Sequence, residues 1–194
     1  MSLAAVLAEI AACRACAGEL PHEPRPVTWV TPDTRLLIIG QAPGRRVHES
    51  GVPFTDPSGD RLRQWMGIDY ETFYGRREIG VAAMAFCFPG TNPKGGDYPP
   101  PPRCARLWRP RLMAALPNPE LTLLVGAYAQ DWALGEAAGA NMTETVRRWR
   151  DYLPRYLPLP HPSWRNTGWL KRNPWFGDEV SPFLRAKVRE ILGP

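Results

Sequence analysis

Four short apolar runs constrain this chain more than anything else in it: Leu36 to Ile39, Ile79 to Phe86, Leu121 to Val125 and Tyr156 to Leu159. Each is continuous rather than alternating, the pattern of a strand buried on both faces. Each runs into a turn-forming segment: Gly40-Gln41-Ala42-Pro43-Gly44, then Phe88-Pro89-Gly90, then Gly126, then His161-Pro162-Ser163. Between them lie stretches with helical spacing. Leu3, Val6, Leu7 and Ile10 share one face of a helix predicted over 2–12, with Ser2 as its N-cap. Helices are also predicted over 61–66, 105–116 (interrupted by Pro110), 128–134, 143–152 and 180–192. Residues 18–34 and 90–102 read as loops.

Strands alternating with helices predict an α/β fold, a three-layer α/β/α arrangement around a central parallel sheet of about four strands. A length of 194 residues without an internal repeat predicts one domain over 1–194. Open α/β sheets bind ligands outside the carboxyl ends of their strands. The four turns are therefore where function is expected.

No apolar run is long enough to cross a membrane. The N-terminal stretch lacks a basic region and carries Glu9, so it is not expected to be a signal peptide. A cytoplasmic, monomeric protein is expected, in a compartment where structural disulfides are uncommon. The chain has 24 Lys and Arg against 19 Asp and Glu, and 21 of the 24 are Arg. Guanidinium forks suit phosphate and base edges. GC-rich coding would raise Arg together with Ala, Gly and Pro, so the net charge of +5 decides little by itself.

Four cysteines in a reducing compartment raise the question of a metal. Cys13 and Cys16 form a Cys-x2-Cys pair at the end of the first helix, Cys87 ends the second strand, and Cys104 follows the proline-rich loop. Spacing alone leaves an iron–sulfur cluster, a structural zinc and unligated buried thiols open.

Two segments carry a more specific pattern. The first, Gly40 to Phe54, reads GQAPGRRVHESGVPF; it is neither a Walker loop nor a Gly-x-Gly-x-x-Gly turn. The second, His161 to Phe176, reads HPSWRNTGWLKRNPWF. With the ordered cysteines they resemble the uracil-DNA glycosylase superfamily, closest to its iron–sulfur branch, often called family four. The first motif is similar to that branch's Gly-Glu-Ala-Pro-Gly followed by Gly-x-Pro-Phe, here Gly51 to Phe54. His161-Pro162-Ser163 is similar to the superfamily's last-strand motif. The resemblance spans residues 13 to 176.

The resemblance implies a glycosylase of that fold, acting on DNA that contains a deaminated base, uracil above all. It flips the base out of the duplex, hydrolyses the N-glycosidic bond and so starts base excision repair. It implies a four-iron, four-sulfur cluster on Cys13, Cys16, Cys87 and Cys104, ahead of zinc. It implies that Phe54 stacks on the flipped base, within a base pocket that includes Gly40 and Gln41. It implies that His161 donates a hydrogen bond to the departing base, the logic of an oxyanion hole. A neutral imidazole suffices for that.

Two departures bear on chemistry. The family's acidic residue after the first Gly is Gln41 here, and the Asp of the best-known branch, one position on, is Ala42. Gln41 positions water but cannot take its proton; Glu49, Asp56 and His48 are the nearby substitutes. The family's Asn on the second strand is replaced by Ala83, beside Met84, neither of which reads a base edge. Hypoxanthine or xanthine is then an alternative substrate, with Asn92 as a replacement amide. A catalytically weak or inactive DNA-binding member is a further alternative.

The wedge expected to fill the space of a flipped base is Trp164 with Arg165, beside Ser163. Arg45, Arg46, Lys171 and Arg172 are the expected phosphate contacts, with Trp169 and Trp175 interleaved. Arg147, Arg148 and Arg150 read as a solvated helix face.

Overall fold

The computed structural model describes residues 1–193. Nine α-helices and four strands follow one another as α1 (Leu3–Ala11), β1 (Leu36–Ile39), α2 (Arg45–Ser50), α3 (Pro57–Met66), α4 (Tyr70–Gly75), β2 (Ile79–Val81), α5 (Pro102–Ala115), β3 (Leu121–Val125), α6 (Ala127–Leu134), α7 (Met142–Arg147), β4 (Tyr156–Leu159), α8 (Thr167–Arg172) and α9 (Ser181–Leu192). The strands form one parallel sheet in the order β2-β1-β3-β4. This is the three-layer α/β/α fold that the apolar runs predict.

Period-two alternation splits each run between two cores. Leu36, Ile38, Leu121, Leu123, Leu157 and Leu159 pack toward α3 and α9. Leu37, Ile39 and Leu124 pack toward α1, α5 and α6. The β1 residues are fully buried, as continuous apolar strands of a covered sheet must be. Truncating one of them, such as Ile38 to Ala, would cost about 2–5 kcal/mol.

Local signals explain where the helices begin. The Ser2 hydroxyl accepts from Ala5 N–H and caps α1 as expected. Helix α3 starts four residues before its apolar pattern does, because Asp56 accepts from Gly59 N–H and Pro57 fills the first turn. Helices α2, α4 and α8 have six residues each, too few to show a period.

The second strand is shorter than its apolar run. It leaves the sheet after Val81, because the carbonyls of Ala82 and Ala83 accept from the buried Arg109 guanidinium at 2.6 and 3.0 Å. The N–H groups of Met84 and Ala85 turn to Gly40 and Gln41 carbonyls. The run is thus diverted alongside the first turn.

The chain goes from β1 outward to β2 and then back to β3 on the other side of β1. This reversal opens a crevice at the carboxyl ends of β1 and β3. The first motif leaves β1 there, and the His161 turn leaves the adjacent β4.

Candidate functional site

At that crevice a cavity is walled by Gly40, Gln41, Ala42, Phe54, Ala83 and His161. It continues into an outer groove bordered by Ser163, Trp164, Arg165 and Asn166. Residues from positions 40 to 165 thus meet in one depression.

Phe54 forms one wall under constraint. Its φ of 57° puts a bulky residue in the left-handed region. Three groups hold it there. Arg63 Nη1 donates to the Phe54 carbonyl at 3.0 Å, and the Tyr74 hydroxyl donates to the Pro53 carbonyl at 2.8 Å. Gly59 gives the third, because a Cβ there would stand 1.8 Å from the Phe54 oxygen. Arg63 is itself buried, bonded to Asp60 Oδ1 at 2.6 Å and packed on the Tyr70, Phe73 and Tyr74 rings. The Phe54 ring meets Phe73 edge-on, and its tip stands 3.7 Å from where a Gly40 Cβ would be. One face is therefore packed in place while the ring walls the cavity.

His161 lines the same cavity, over Gly126, whose φ of 86° no other residue adopts cheaply. Ser163 N–H donates to His161 Nδ1 at 3.2 Å, so in the neutral ring the proton sits on Nε2. Burial pushes its pKa below the ordinary imidazole value, against a smaller opposing pull from Asp56. The ring is thus a neutral Nε2–H donor. Asn166 Nδ2 donates to the His161 carbonyl at 2.7 Å, and Arg61 reaches from α3 to the Ser163 carbonyl at 2.8 Å. Among the described residues, the N–H groups of Gln41 and Ala42 have no protein acceptor, which leaves two backbone donors at the cavity.

Several expectations need correction. Met84 does not wall the cavity; the diverted second run buries its side chain in the α1–α5 layer. Asn92 does not either, since its Oδ1 accepts from Lys94 N–H inside its own turn. His48 is turned away, its ring tilted against His22 at 4.0 Å and against Phe88. Glu49 is exposed on α2. Trp169 is buried and Trp175 packs on it, so neither is a free stacking platform. Arg147, Arg148 and Arg150 do form a solvated face, with Arg148 and Arg150 in surface ion pairs with Asp151 and Glu179. Trp164, by contrast, is 73% exposed at the groove, with the Arg165 guanidinium 5.7 Å from its ring. Arg45 and Arg46 are exposed on α2 beside the cavity mouth, and Lys171 and Arg172 on α8.

The four cysteines line a second cavity, which shares no lining residue with the first. Trp108 Nε1–H points at Cys13 Sγ at 3.3 Å and Phe86 N–H at Cys104 Sγ at 3.4 Å. Burial, then the neighbouring thiols, pushes Cys87 up to about 12; burial chiefly pushes Cys104 up to about 11. Among the described residues no three His, Cys, Asp or Glu side chains close on a single ion position.

Arg61, Arg63, Tyr74, Arg109 and Asn166 had escaped sequence reasoning. Their signal was faint: two arginines in the helix that follows Phe54, and an Asn inside the His161 motif.

The family model of the uracil DNA glycosylase superfamily matches residues 27–185, a span that begins after Cys13 and Cys16. Among solved structures, wild-type SMUG2 of Pedobacter heparinus is similar over 79% of this chain and 75% of that one, at 14% identity and a TM-score of 0.43.

Proposed function

The chain belongs to the uracil DNA glycosylase superfamily, and from that premise we propose that it excises a deaminated base, uracil first, from DNA as a single-domain enzyme. The observation that carries this reading is that Phe54 and His161 line one cavity at the strand ends. A flipped pyrimidine stacks on Phe54, an interaction worth about 1–3 kcal/mol. His161 Nε2–H then meets the base oxygen on which charge develops as the glycosidic bond breaks. Because the ring is already neutral and fixed, it needs no rearrangement during the reaction. The Gln41 and Ala42 N–H groups add donors at the same wall. Gln41 orients water, and the oxocarbenium-like sugar makes only modest demands on its activation, as in glycoside hydrolysis.

Ala83 favours a second reading of substrate choice. It walls the cavity where an amide would read the uracil edge. A site that lacks a specific donor–acceptor pair rejects other bases less strongly. Hypoxanthine and xanthine are therefore the next substrates in line.

Trp164 and Arg165 form the wedge at the groove, and Arg45, Arg46, Lys171 and Arg172 face phosphates. Among the described residues no helix is long and apolar enough to cross a membrane.

What supports an iron–sulfur cluster is that all four cysteines line one cavity, with N–H donors aimed at the sulfurs of Cys13 and Cys104. Cys13, Cys16, Cys87 and Cys104 would hold a four-iron, four-sulfur cluster, which would cross-link α1, the exit of β2 and α5. Its role is structural, since the base cavity is separate.

The test is incubation of the full chain with oligonucleotides carrying one uracil, hypoxanthine or xanthine, single- and double-stranded. Release of at least one base supports the reading; DNA binding without release would support an inactive binding member. An absorbance band near ~400 nm together with bound iron tests the cluster.

A further inference from the structure

We propose that Asp97 is the carboxylate that takes the proton from the attacking water. The inference rests on the base-excision reading above and supplies the group that Gln41 and Ala42 cannot.

Two carboxylates, Asp56 and Asp97, line both the cavity and the outer groove. Asp56 is already committed. Its Oδ1 accepts from Gly59 N–H at 3.1 Å and caps α3. Asp97 has no such bond: among the described residues neither of its oxygens accepts a hydrogen bond. Its Oδ2 stands 3.6 Å from where a Cβ on Gly44 would lie, so the carboxylate leans over the first motif at the cavity mouth.

The backbone holds it in that place. Asp97 pairs with Thr91 across the tip of the 90–98 loop. The next residue, Tyr98, offers its carbonyl to Gln41 Nε2 at 3.5 Å. The loop also fits closely against the His161 motif, since a Cβ on Gly96 would stand 2.6 Å from Arg165 Nη1. Gln41 and Asp97 thus flank one opening, one able to orient water and the other to deprotonate it.

The charged groups around Asp97 set its basicity. Partial burial raises its pKa above the ordinary aspartate value, Arg165 and Arg45 pull it down, and Asp56 pushes it up. A carboxylate whose pKa is raised is the stronger base. His161 shares the cavity, but its one lone-pair nitrogen, Nδ1, already accepts from Ser163 N–H, so it does not compete for the role.

The step balances without a further reactant. The water oxygen forms a bond to C1′ and its proton passes to Asp97. The C1′–N bond breaks, and its electron pair leaves with the base as an anion held by His161 Nε2–H. The Asp97 proton is then lost to solvent.

Single-turnover base release across pH, with the full chain and whichever oligonucleotide the wild type cleaves, tests this. The wild-type rate is expected to climb with pH through an acidic limb. In Asp97→Asn the rate should fall about tenfold or more and the limb should vanish, while binding of an abasic-site duplex and the melting temperature stay near wild type. Sodium formate should restore part of the rate in Asp97→Ala. Wild-type rate and limb in Asp97→Asn would overturn the assignment while leaving base excision intact. Loss of the limb in Asp56→Asn but not in Asp97→Asn would move the role to Asp56. If the wild type releases no base from any substrate, the reading beneath it falls as well.

Discussion

Arg63 Nη1 donates to the carbonyl of Phe54 at 3.0 Å, and Phe54 sits at a φ of 57°. A buried cation on α3 thus holds the stacking wall of the cavity in a conformation that costs a non-glycine residue about 1–3 kcal/mol. Replacing Arg63 by Met should free that carbonyl and let Phe54 relax out of register. Leaving a buried acceptor unpaired costs about 1–3 kcal/mol, so a lower melting temperature is expected. Base release should also slow by about tenfold, equivalent to ~1.4 kcal/mol of transition-state stabilisation. Tyr74→Phe should show the same pattern, more weakly. Melting curves beside single-turnover rates check both.

Gly59→Ala tests the same wall from below. The added Cβ would stand 1.8 Å from the Phe54 oxygen, and both atoms belong to backbone-anchored positions. The loop or the helix must move, at a cost of about 1–3 kcal/mol. Activity should fall along with stability, and a crystal structure of the variant should show Phe54 displaced from Gly40.

His161 and Gln41 should differ in weight. His161→Gln removes the fixed donor and should cost about 100-fold or more, the range of a lost oxyanion donor. Gln41→Ala removes a side chain that only orients water and should cost less. The opposite ranking of single-turnover rates would undo the roles given to both.

Stability should fall in mild acid. Burial holds His161 below the ordinary imidazole value; burial first, then His22, does the same for His48. Between the lowered folded pKa values and the unfolded value of about 6.5, the unfolded chain binds more protons. The stabilisation is therefore complete above that pH and is lost as pH drops through the window below it. The melting temperature should be lower at pH about 5.5 than at pH about 7.5. His48→Gln should narrow the gap.

DNA affinity should weaken steeply with salt. Arg46 is exposed and makes no ion pair. Arg46→Ala should weaken binding to all sequences alike and lower the slope of log K against log salt by about 1. A slope unchanged in the variant would remove Arg46 from the phosphate contacts.

Much of this arrangement was legible before any coordinates. Continuous apolar runs announce a covered parallel sheet, and the motifs that leave β1 and β4 mark its binding edge. The groups that make the site work were harder to see. Arg63 reaches back nine residues and Arg61 forward 102 to the loops they hold. Contacts of that kind leave no period or spacing in a sequence. The diversion of the second run after Val81 depends on Arg109, which comes from a helix 26 residues beyond Ala83. Asp97 sits in a Pro- and Gly-rich loop that reads as filler until folding lays it over Gly44.

The pairing of Phe54 and His161 in one cavity is tested most directly by base release from a uracil-containing oligonucleotide under single-turnover conditions. Wild-type protein should yield free uracil and an alkali-labile abasic site, with hypoxanthine or xanthine released as well if Ala83 loosens selection. His161→Gln and Phe54→Ala should each reduce that yield strongly while the chain stays folded. Release of no base by the wild type, or release undiminished in both variants, would contradict it.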